Sequence, residues 1–328
     1  MGAKTTVAIN GFGRIGRAIL RAMAKRADCG LELVAINDIA PLETCAYLLE
    51  FDSVYGPYPG DVVQVEGGLE IDGAFVRFSQ SRDLATVDLA DVDIVLECTG
   101  KAGERAFAEA GLRAGARRVL ISGPSPVADA TVVLGANEAV LGDQPVISNA
   151  SCTTNALAPL LAALEAEYGV VTGHMTTIHC YTGSQPTVDA PRGSALERNR
   201  AAALSMVPTT TSAARLIDDV LPALAGRVKG CAVRVPTASV SAIDMTVLLG
   251  RAAPRDEING YLARALPGLI GAVDRPLVSQ DLRARPESFV LARPETTVLE
   301  GGLVRIFGWY DNEFGFSNRM IDVALRMG

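Results

Sequence analysis

Two consecutive segments near the N-terminus, Thr5-Thr-Val-Ala-Ile-Asn10 and Gly11-Phe-Gly-Arg-Ile-Gly16, decide the architecture. The first is a short, mostly apolar run of strand length. The second is a glycine turn, after which Ile15, Ala18, Ile19 and Ala22 recur at helical spacing through Arg26. A second strand, Leu31–Asn37, ends at Asp38. Strand, Gly-x-Gly-x-x-Gly, helix and an acidic strand end together predict a dinucleotide-binding unit. Gly11, Gly13 and Gly16 let a pyrophosphate approach the backbone at the helix N-terminus, and Asp38 suits the adenosine ribose hydroxyls.

Outward from this unit, Asp61–Glu66, Leu69–Ile71 and Phe75–Ser79 read as small antiparallel strands joined by Gly67-Gly68 and Asp72-Gly73 turns. Parallel βα units then resume. Strand Asp93–Glu97 leads into Cys98-Thr99-Gly100, helix Glu104–Ala114 follows, and strands Arg118–Ser122 and Thr131–Leu134 come next. Thr99 and Ser122, each followed by glycine at a strand end, suit backbone contact with a cofactor at the carboxyl edge of a parallel sheet.

Strand Pro145–Ser148 runs into Ser148-Asn-Ala-Ser-Cys-Thr-Thr-Asn155, and an apolar helix pattern begins: Leu157, Leu160, Leu161, Leu164, Tyr168. Ser151 falls at the N-cap, so Cys152 lies in the first turn, where unpaired N–H groups and the dipole lower a thiol pKa. The hydroxyls of Ser151, Thr153 and Thr154 suit an anion at the same helix end. Beyond it, strand Val170–His179 carries both histidines of the chain. His174 and His179 face opposite sides, and parity alone does not choose between them. The Gly/Pro/Arg-rich stretch 181–207 is too long for a plain connector and is expected to be functional. Gly230–Val235, Val240–Leu249 and Val304–Trp309 read as strands, and Arg255–Ala265 and Phe316–Met327 as helices.

The chain has 328 residues, 49% of them hydrophobic and 20% charged, which suits two globular domains with sizeable cores. A net charge of −7 argues against nucleic acid or an anionic membrane as partner. No apolar run is long enough to span a membrane, and with Thr5–Asn10 reading as a strand no secretory leader is expected. Met1-Gly-Ala-Lys-Thr-Thr6 fits a loose myristoylation pattern, but Thr6 reads as strand. Six scattered cysteines show neither metal nor disulfide spacing, so a reducing cytoplasmic location is expected.

Taken together, these motifs resemble the phosphorylating, NAD-dependent glyceraldehyde-3-phosphate dehydrogenases. The match spans nearly the whole chain. Its pieces are Ile9–Arg17, Val34–Asp38, Ser148–Asn155, Met175–His179, Arg234–Thr237 and Trp309–Gly315. The resemblance implies Cys152 as nucleophile and His179 as base and activator of the thiol. It implies that the N–H groups of Arg14 and Ile15 meet the NAD pyrophosphate. Asp38 would hold the ribose, Arg82 the adenine side, and Ser122 and Asn312 the nicotinamide side. The substrate phosphate would be met by Thr182 and Arg234, with Ser184 nearby. The attacking inorganic phosphate would be met by Ser151, Thr153, Thr211 and Ser212, with Arg200 close. A homotetramer is implied, with the 181–207 loop near a subunit interface.

Four positions depart from the usual family pattern. Ser212 replaces a glycine, Phe316 a tyrosine, and Ala156 a frequent second cysteine, while Ser184 stands where Asp or Thr is common. The expected architecture is α/β: a Rossmann-type doubly wound domain, 1–151 with helix 312–328, plus an α+β catalytic domain, 152–311, with a mainly antiparallel sheet. The rival functions are erythrose-4-phosphate dehydrogenase and a non-catalytic redox-sensing or partner-binding protein.

Overall fold

The computed structural model describes residues 4–26 and 29–328. Met1–Ala3, the start of the myristoylation-like pattern, lie outside the described residues. The chain divides into two compact units. One comprises residues 1–132, 138–150 and 317–328; the other comprises 133–137 and 151–316. Ser151 and residues 312–316 thus group with the second unit. The Asp311 carboxylate explains the last placement: it accepts from the N–H groups of Glu313 and Phe314 on one oxygen and of Ala284 on the other.

In the first unit, β1 (Thr5–Asn10), α1 (Arg14–Ala24) and β2 (Leu31–Asn37) form the βαβ unit expected from the glycine turn. A helix not expected from the sequence, α2 (Leu42–Glu50), follows. Then come β3 (Val62–Val65), β4 (Gly68–Ile71), β5 (Ala74–Ser79) and β6 (Ile94–Glu97). The span anticipated as one helix, 104–114, is two single turns, α3 (Arg105–Ala108) and α4 (Ala110–Arg113). They break at Glu109, whose φ −88° and ψ 3° leave the helical region. Strands β7 (Arg118–Ile121), β8 (Ala130–Thr131) and β9 (Val146–Ser148) complete the unit. The sheet order is β3-β4-β5-β2-β1-β6-β7-β9-β8. The β3–β4–β5 meander is antiparallel, and the rest is parallel. The sequence shows the meander as separate hairpins. In the structure β5 joins it to β2 as part of one sheet.

The second unit starts with α5 (Cys152–Tyr168) and β10 (Val170–Cys180). After these come β11 (Val207–Thr209), α6 (Ala213–Val220), β12 (Val228–Val235), β13 (Ser241–Leu249) and α7 (Arg255–Ala265). The chain then adds β14 (Ile270–Val273), β15 (Phe289–Ala292), β16 (Thr297–Val298) and β17 (Leu303–Tyr310); the last helix, α8 (Phe314–Met327), returns from Ser317 onward to the first unit. The sheet order is β11-β12-β10-β13-β17-β15-β14, with β16 beside β17. The sheet is mixed: β10–β12 and β14–β15 are parallel, and the other pairs are antiparallel. In α5, Leu157, Leu160, Leu161 and Leu164 are wholly buried. Each contributes about 1.5–3 kcal/mol by leaving water, and together they fix the helix that carries Cys152. No helix among the described residues is long and apolar enough to cross a membrane.

Candidate active site

Ser151 is the N-cap of α5. Its Oγ accepts from the Thr154 N–H at 3.1 Å, and it exchanges a hydrogen bond with the Thr154 hydroxyl at 2.7 Å. Such a cap is worth about 1 kcal/mol and sets Cys152 as the first helical residue. The turn before it needs a left-handed residue, Ala150, at φ 55°. The sulfur of Cys152 lies 3.7 Å from His179 Nε2. His179 ends β10 on its buried face, whereas His174 is exposed. The fold therefore decides what strand parity left open.

The second ring nitrogen of His179 defines its role. Nδ1 lies 2.6 Å from the Cys180 carbonyl, and Arg234 Nη1 lies 3.0 Å from that same oxygen. A protonated Nδ1 and the guanidinium both donate to this carbonyl, which places the two nitrogens 2.9 Å apart. Nε2 then presents its lone pair towards the sulfur, as a base requires. Burial, and then the adjacent Arg234 charge, push His179 down to about 4. The imidazole is neutral and able to accept a proton.

The thiol departs from expectation. Helix position and a histidine neighbour predict a lowered pKa; in the structure burial pushes the Cys152 thiol up. Arg234 and the donors at Thr153 oppose that shift without reversing it. The physical reason is that a desolvated sulfur faces a neutral ring rather than an imidazolium. Arg234 is therefore the group that favours the thiolate. In the free protein, iodoacetamide alkylation of Cys152 is expected to keep accelerating with pH beyond the ordinary thiol range. Arg234→Leu should raise the thiol pKa further, slow labelling at neutral pH, and move the His179 titration upward. An alkylation rate already flat below neutral pH would contradict this ordering.

Two groups of residues expected to meet anions stand in this unit. Thr182 Oγ1 and Ser184 Oγ are 3.0 Å apart, and Arg198 Nη2 donates to Ser184 at 3.3 Å. The Arg198 charge also acts on His179 and Arg234. Arg200, expected close to the attacking phosphate with Ser151, Thr153, Thr211 and Ser212, is paired with Asp189 at 2.7 Å, and both are largely exposed. The structure thus brings Arg198, which the sequence did not single out, to Ser184 and holds Arg200 on Asp189. Composition and spacing offered no signal to separate the two, since they stand two residues apart in one loop.

Ser212 has φ −73°, so the exchange for glycine costs no left-handed strain, and its N–H stays at the start of α6. Thr211 Oγ1 accepts from the Ala213 N–H at 3.2 Å. The Thr153 hydroxyl is engaged with Tyr310 at 2.9 Å, and both the hydroxyl and the N–H of Thr153 also face the Cys152 sulfur. Tyr310, which bonds Thr177 at 2.7 Å as well, braces the α5 terminus and was not expected from the sequence. Asn312 Oδ1 accepts from Cys180 Sγ at 3.1 Å and Ser241 Oγ at 3.2 Å, which fixes the amide so that Nδ2 faces away from both.

In the first unit, a cleft of about 250 Å³ is lined by Gly11, Gly13, Asp38, Arg82 and Thr99 among others. These five of the expected cofactor residues, from widely separated stretches, thus meet. Gly11, at φ +91°, packs so closely on Thr99 that a Cβ would lie 2.8 Å from its nitrogen. A Cβ on Gly13 would enter open space, the room a pyrophosphate needs. Gly13 is also the N-cap of α1 and supplies no capping side chain, so that helix end suits an anion. Arg14 and Ile15 begin that helix; the Arg14 side chain turns to Asp52 at 2.5 Å. Gly16 lies against the Gly11 carbonyl, closing the turn. Asp38 accepts from the Phe12 N–H at 2.6 Å and the Ala40 N–H at 2.8 Å, so its carboxylate is held rigidly at the strand end. Ser122 ends β7 with its N–H on the Glu97 carbonyl and is not among the cleft-lining residues. These features fit NAD, whose nicotinamide supplies the hydride acceptor when bound.

Comparison with known proteins agrees with this geometry. Residues 5–105 match the family described as glyceraldehyde 3-phosphate dehydrogenase, NAD binding domain, and residues 151–312 match its C-terminal domain. The chain belongs to the glyceraldehyde-3-phosphate dehydrogenase family. It is 47% identical to the glyceraldehyde-3-phosphate dehydrogenase of Xanthobacter flavus and 46% to that of Cereibacter sphaeroides, each alignment covering 98% of both chains. The protein of the same name from Zymomonas mobilis is 46% identical over the same share. As a member of this dehydrogenase family, the protein is an NAD-dependent oxidoreductase.

Proposed function

We propose that this dehydrogenase oxidises glyceraldehyde 3-phosphate to 1,3-bisphosphoglycerate with NAD+ and inorganic phosphate, through a thiohemiacetal and a thioester on Cys152. The observation that carries the reading is the 3.7 Å approach of the Cys152 sulfur to an Nε2 that bears a lone pair. The thiolate adds to the aldehyde carbon, and the resulting alkoxide takes up the proton that the thiol had lost. His179 Nε2 then takes the thiohemiacetal hydroxyl proton as the carbonyl re-forms as a thioester; NAD, held by Gly11, Gly13, Asp38 and Thr99, would accept the hydride. Phosphate then attacks the thioester carbon, the acyl phosphate departs, and the thiolate is restored. The Cys152 N–H and His179 stabilise the oxyanion. Thr182, Ser184, Arg198 and Arg234 hold the substrate phosphate, and Ser151, Thr211 and the Ser212 N–H receive the attacking phosphate.

The domain roles follow. The first unit, with residues 317–328 of the C-terminal helix, holds NAD, and the second unit, from Ser151, carries the chemistry. A homotetramer is supported by the 181–207 loop, which exposes Val188, Leu196, Leu204 and Met206 at 70%, 80%, 84% and 75%. A cytoplasmic location is in keeping with free cysteines throughout the described residues.

A phosphate titration tests the acceptor. Because Ser212 keeps a negative φ, the rate is expected to rise steeply with phosphate and the product to be an acyl phosphate. A flat response, with slow hydrolysis of the thioester, would overturn the acceptor assignment. Catalytic efficiency should be higher for glyceraldehyde 3-phosphate than for erythrose 4-phosphate at saturating phosphate, and the reverse would overturn the substrate.

A further inference from the structure

Beneath the cleft of the first unit lies a buried carboxylate that the mechanism does not use. Glu97, at the end of β6, is 2% exposed. One of its oxygens accepts from Asn10 Nδ2; the other accepts from the Thr99 N–H at 2.8 Å and from the Thr99 hydroxyl. Asn10 Oδ1 in turn accepts from Asn37 Nδ2 at 2.8 Å. Asn37 also donates to the Ser81 carbonyl at 3.0 Å, while its Oδ1 accepts from the Ser81 N–H at 3.0 Å and the Ser79 hydroxyl at 2.8 Å.

The direction of this chain is not free. Backbone groups lock both ends. The Ser81 N–H and carbonyl fix which way the Asn37 amide points. That forces Asn10 to accept from Asn37 and so to donate onward. The Thr99 N–H demands an acceptor from the other side. The side chain at position 97 must therefore accept on both oxygens, which a carboxylate does and an amide cannot. Asn10, Asn37, Ser81 and Thr99 all line the cleft. The relay thus ties four walls of it, from strands β1, β2, β5 and β6, to one buried charge.

We propose that Glu97 is a positioning residue of the cofactor site, the terminal acceptor of a one-way hydrogen-bond relay that sets Thr99 and the 79–82 turn for dinucleotide binding. This rests on the cleft being the NAD site. Glu97→Gln is isosteric but sets an N–H₂ against a donor, and removes a charge-assisted hydrogen bond. We expect it to raise the NAD dissociation constant, measured by calorimetry, about tenfold or more, with kcat at saturating NAD little changed. Asn10→Asp sets two carboxylates face to face and should weaken binding too. Combining the two restores a donor–acceptor pair at every step, because the amide at 97 donates to the new carboxylate at 10.

The double variant should accordingly bind NAD more tightly than either single variant, a coupling that additive structural damage does not produce. Losses that simply add, or an unchanged dissociation constant for Glu97→Gln, would overturn the proposal. Gly13→Val, which fills the space above the glycine turn, separates the two levels. If it leaves NAD binding intact, the cleft assignment fails and the relay's role fails with it. If it abolishes binding while Glu97→Gln does not weaken it, only the relay is wrong. Cys152 alkylation and thermal melting check that each variant is folded.

Discussion

Cys152→Ser is expected to leave no measurable dehydrogenase activity, and His179→Asn to lower it about a hundredfold or more. The two losses have different origins. A serine hydroxyl at position 152 would meet a neutral imidazole beside a guanidinium, an environment that holds His179 near 4 and makes it a weak base for an alcohol. The thiol needs less help, because Arg234 favours its anion directly. Removing His179 thus spares the nucleophile but removes the acceptor for the hydroxyl proton. Iodoacetamide should label Cys152 first of the six cysteines. Burial pushes Cys45 up to about 11 and Cys98 and Cys180 up to about 12; the leading counterweights at Cys98 and Cys180 are the hydroxyls of Ser122 and Ser241, and at Cys45 the Asp38 charge outweighs that of Arg17. Preferential labelling of Cys45 or Cys231, with activity retained, would remove Cys152 from its role. A burst of NADH from enzyme and aldehyde alone would separate an active dehydrogenase from a redox-sensing protein that kept the fold.

The low His179 value also sets a pH dependence. A base that titrates near 4 stays deprotonated across the neutral range, so acidification should not switch it off until well below that range. The alkaline rise in rate should belong to the thiol, whose pKa burial raises. A rate profile rising with an ordinary imidazole midpoint would assign control to His179 instead.

The second large effect concerns the cofactor. A preference for NAD over NADP of roughly a hundredfold or more in catalytic efficiency is expected, since a 2′-phosphate at Asp38 would meet like charge. The structure strengthens the argument made from residue type. Asp38 is held by two backbone N–H groups and cannot swing away, and Ile39 beside it offers no donor. Asp38→Asn should narrow the ratio mostly by improving NADP. Equal efficiencies for the two cofactors in the unaltered protein would refute the assignment.

Much of this protein was legible locally. The Gly11–Gly16 turn, the Ser151 cap and the apolar spacing of α5 are decided by residues within one or two turns of each other, so the sequence displays them directly. The parallel units and the Asp38 strand end follow from the same short-range rules. What the sequence could not show depends on residues far apart in the chain meeting in space. Strand parity separates His174 from His179, but only the packing of β10 buries one of them. Spacing does not distinguish Arg198 from Arg200, because the choice rests on Asp189 capturing one guanidinium and Ser184 the other. A helix start argues for a lowered thiol pKa, yet burial wins, and burial is a property of the whole unit. The missed strands β14 and β15 and helices α2 and α6 are short elements whose apolar residues find partners only through the sheet and its packing. The Glu97 relay spans 87 residues from Asn10 to Glu97, and its direction is fixed by backbone groups at Ser81 and Thr99 that no side-chain pattern reports. The sequence by itself determined the locally encoded elements, such as the glycine turn and the capped α5, and which residue types can do chemistry. Only the tertiary structure decided which of those residues share a desolvated space, because desolvation and hydrogen-bond direction are set by contacts, not by order along the chain.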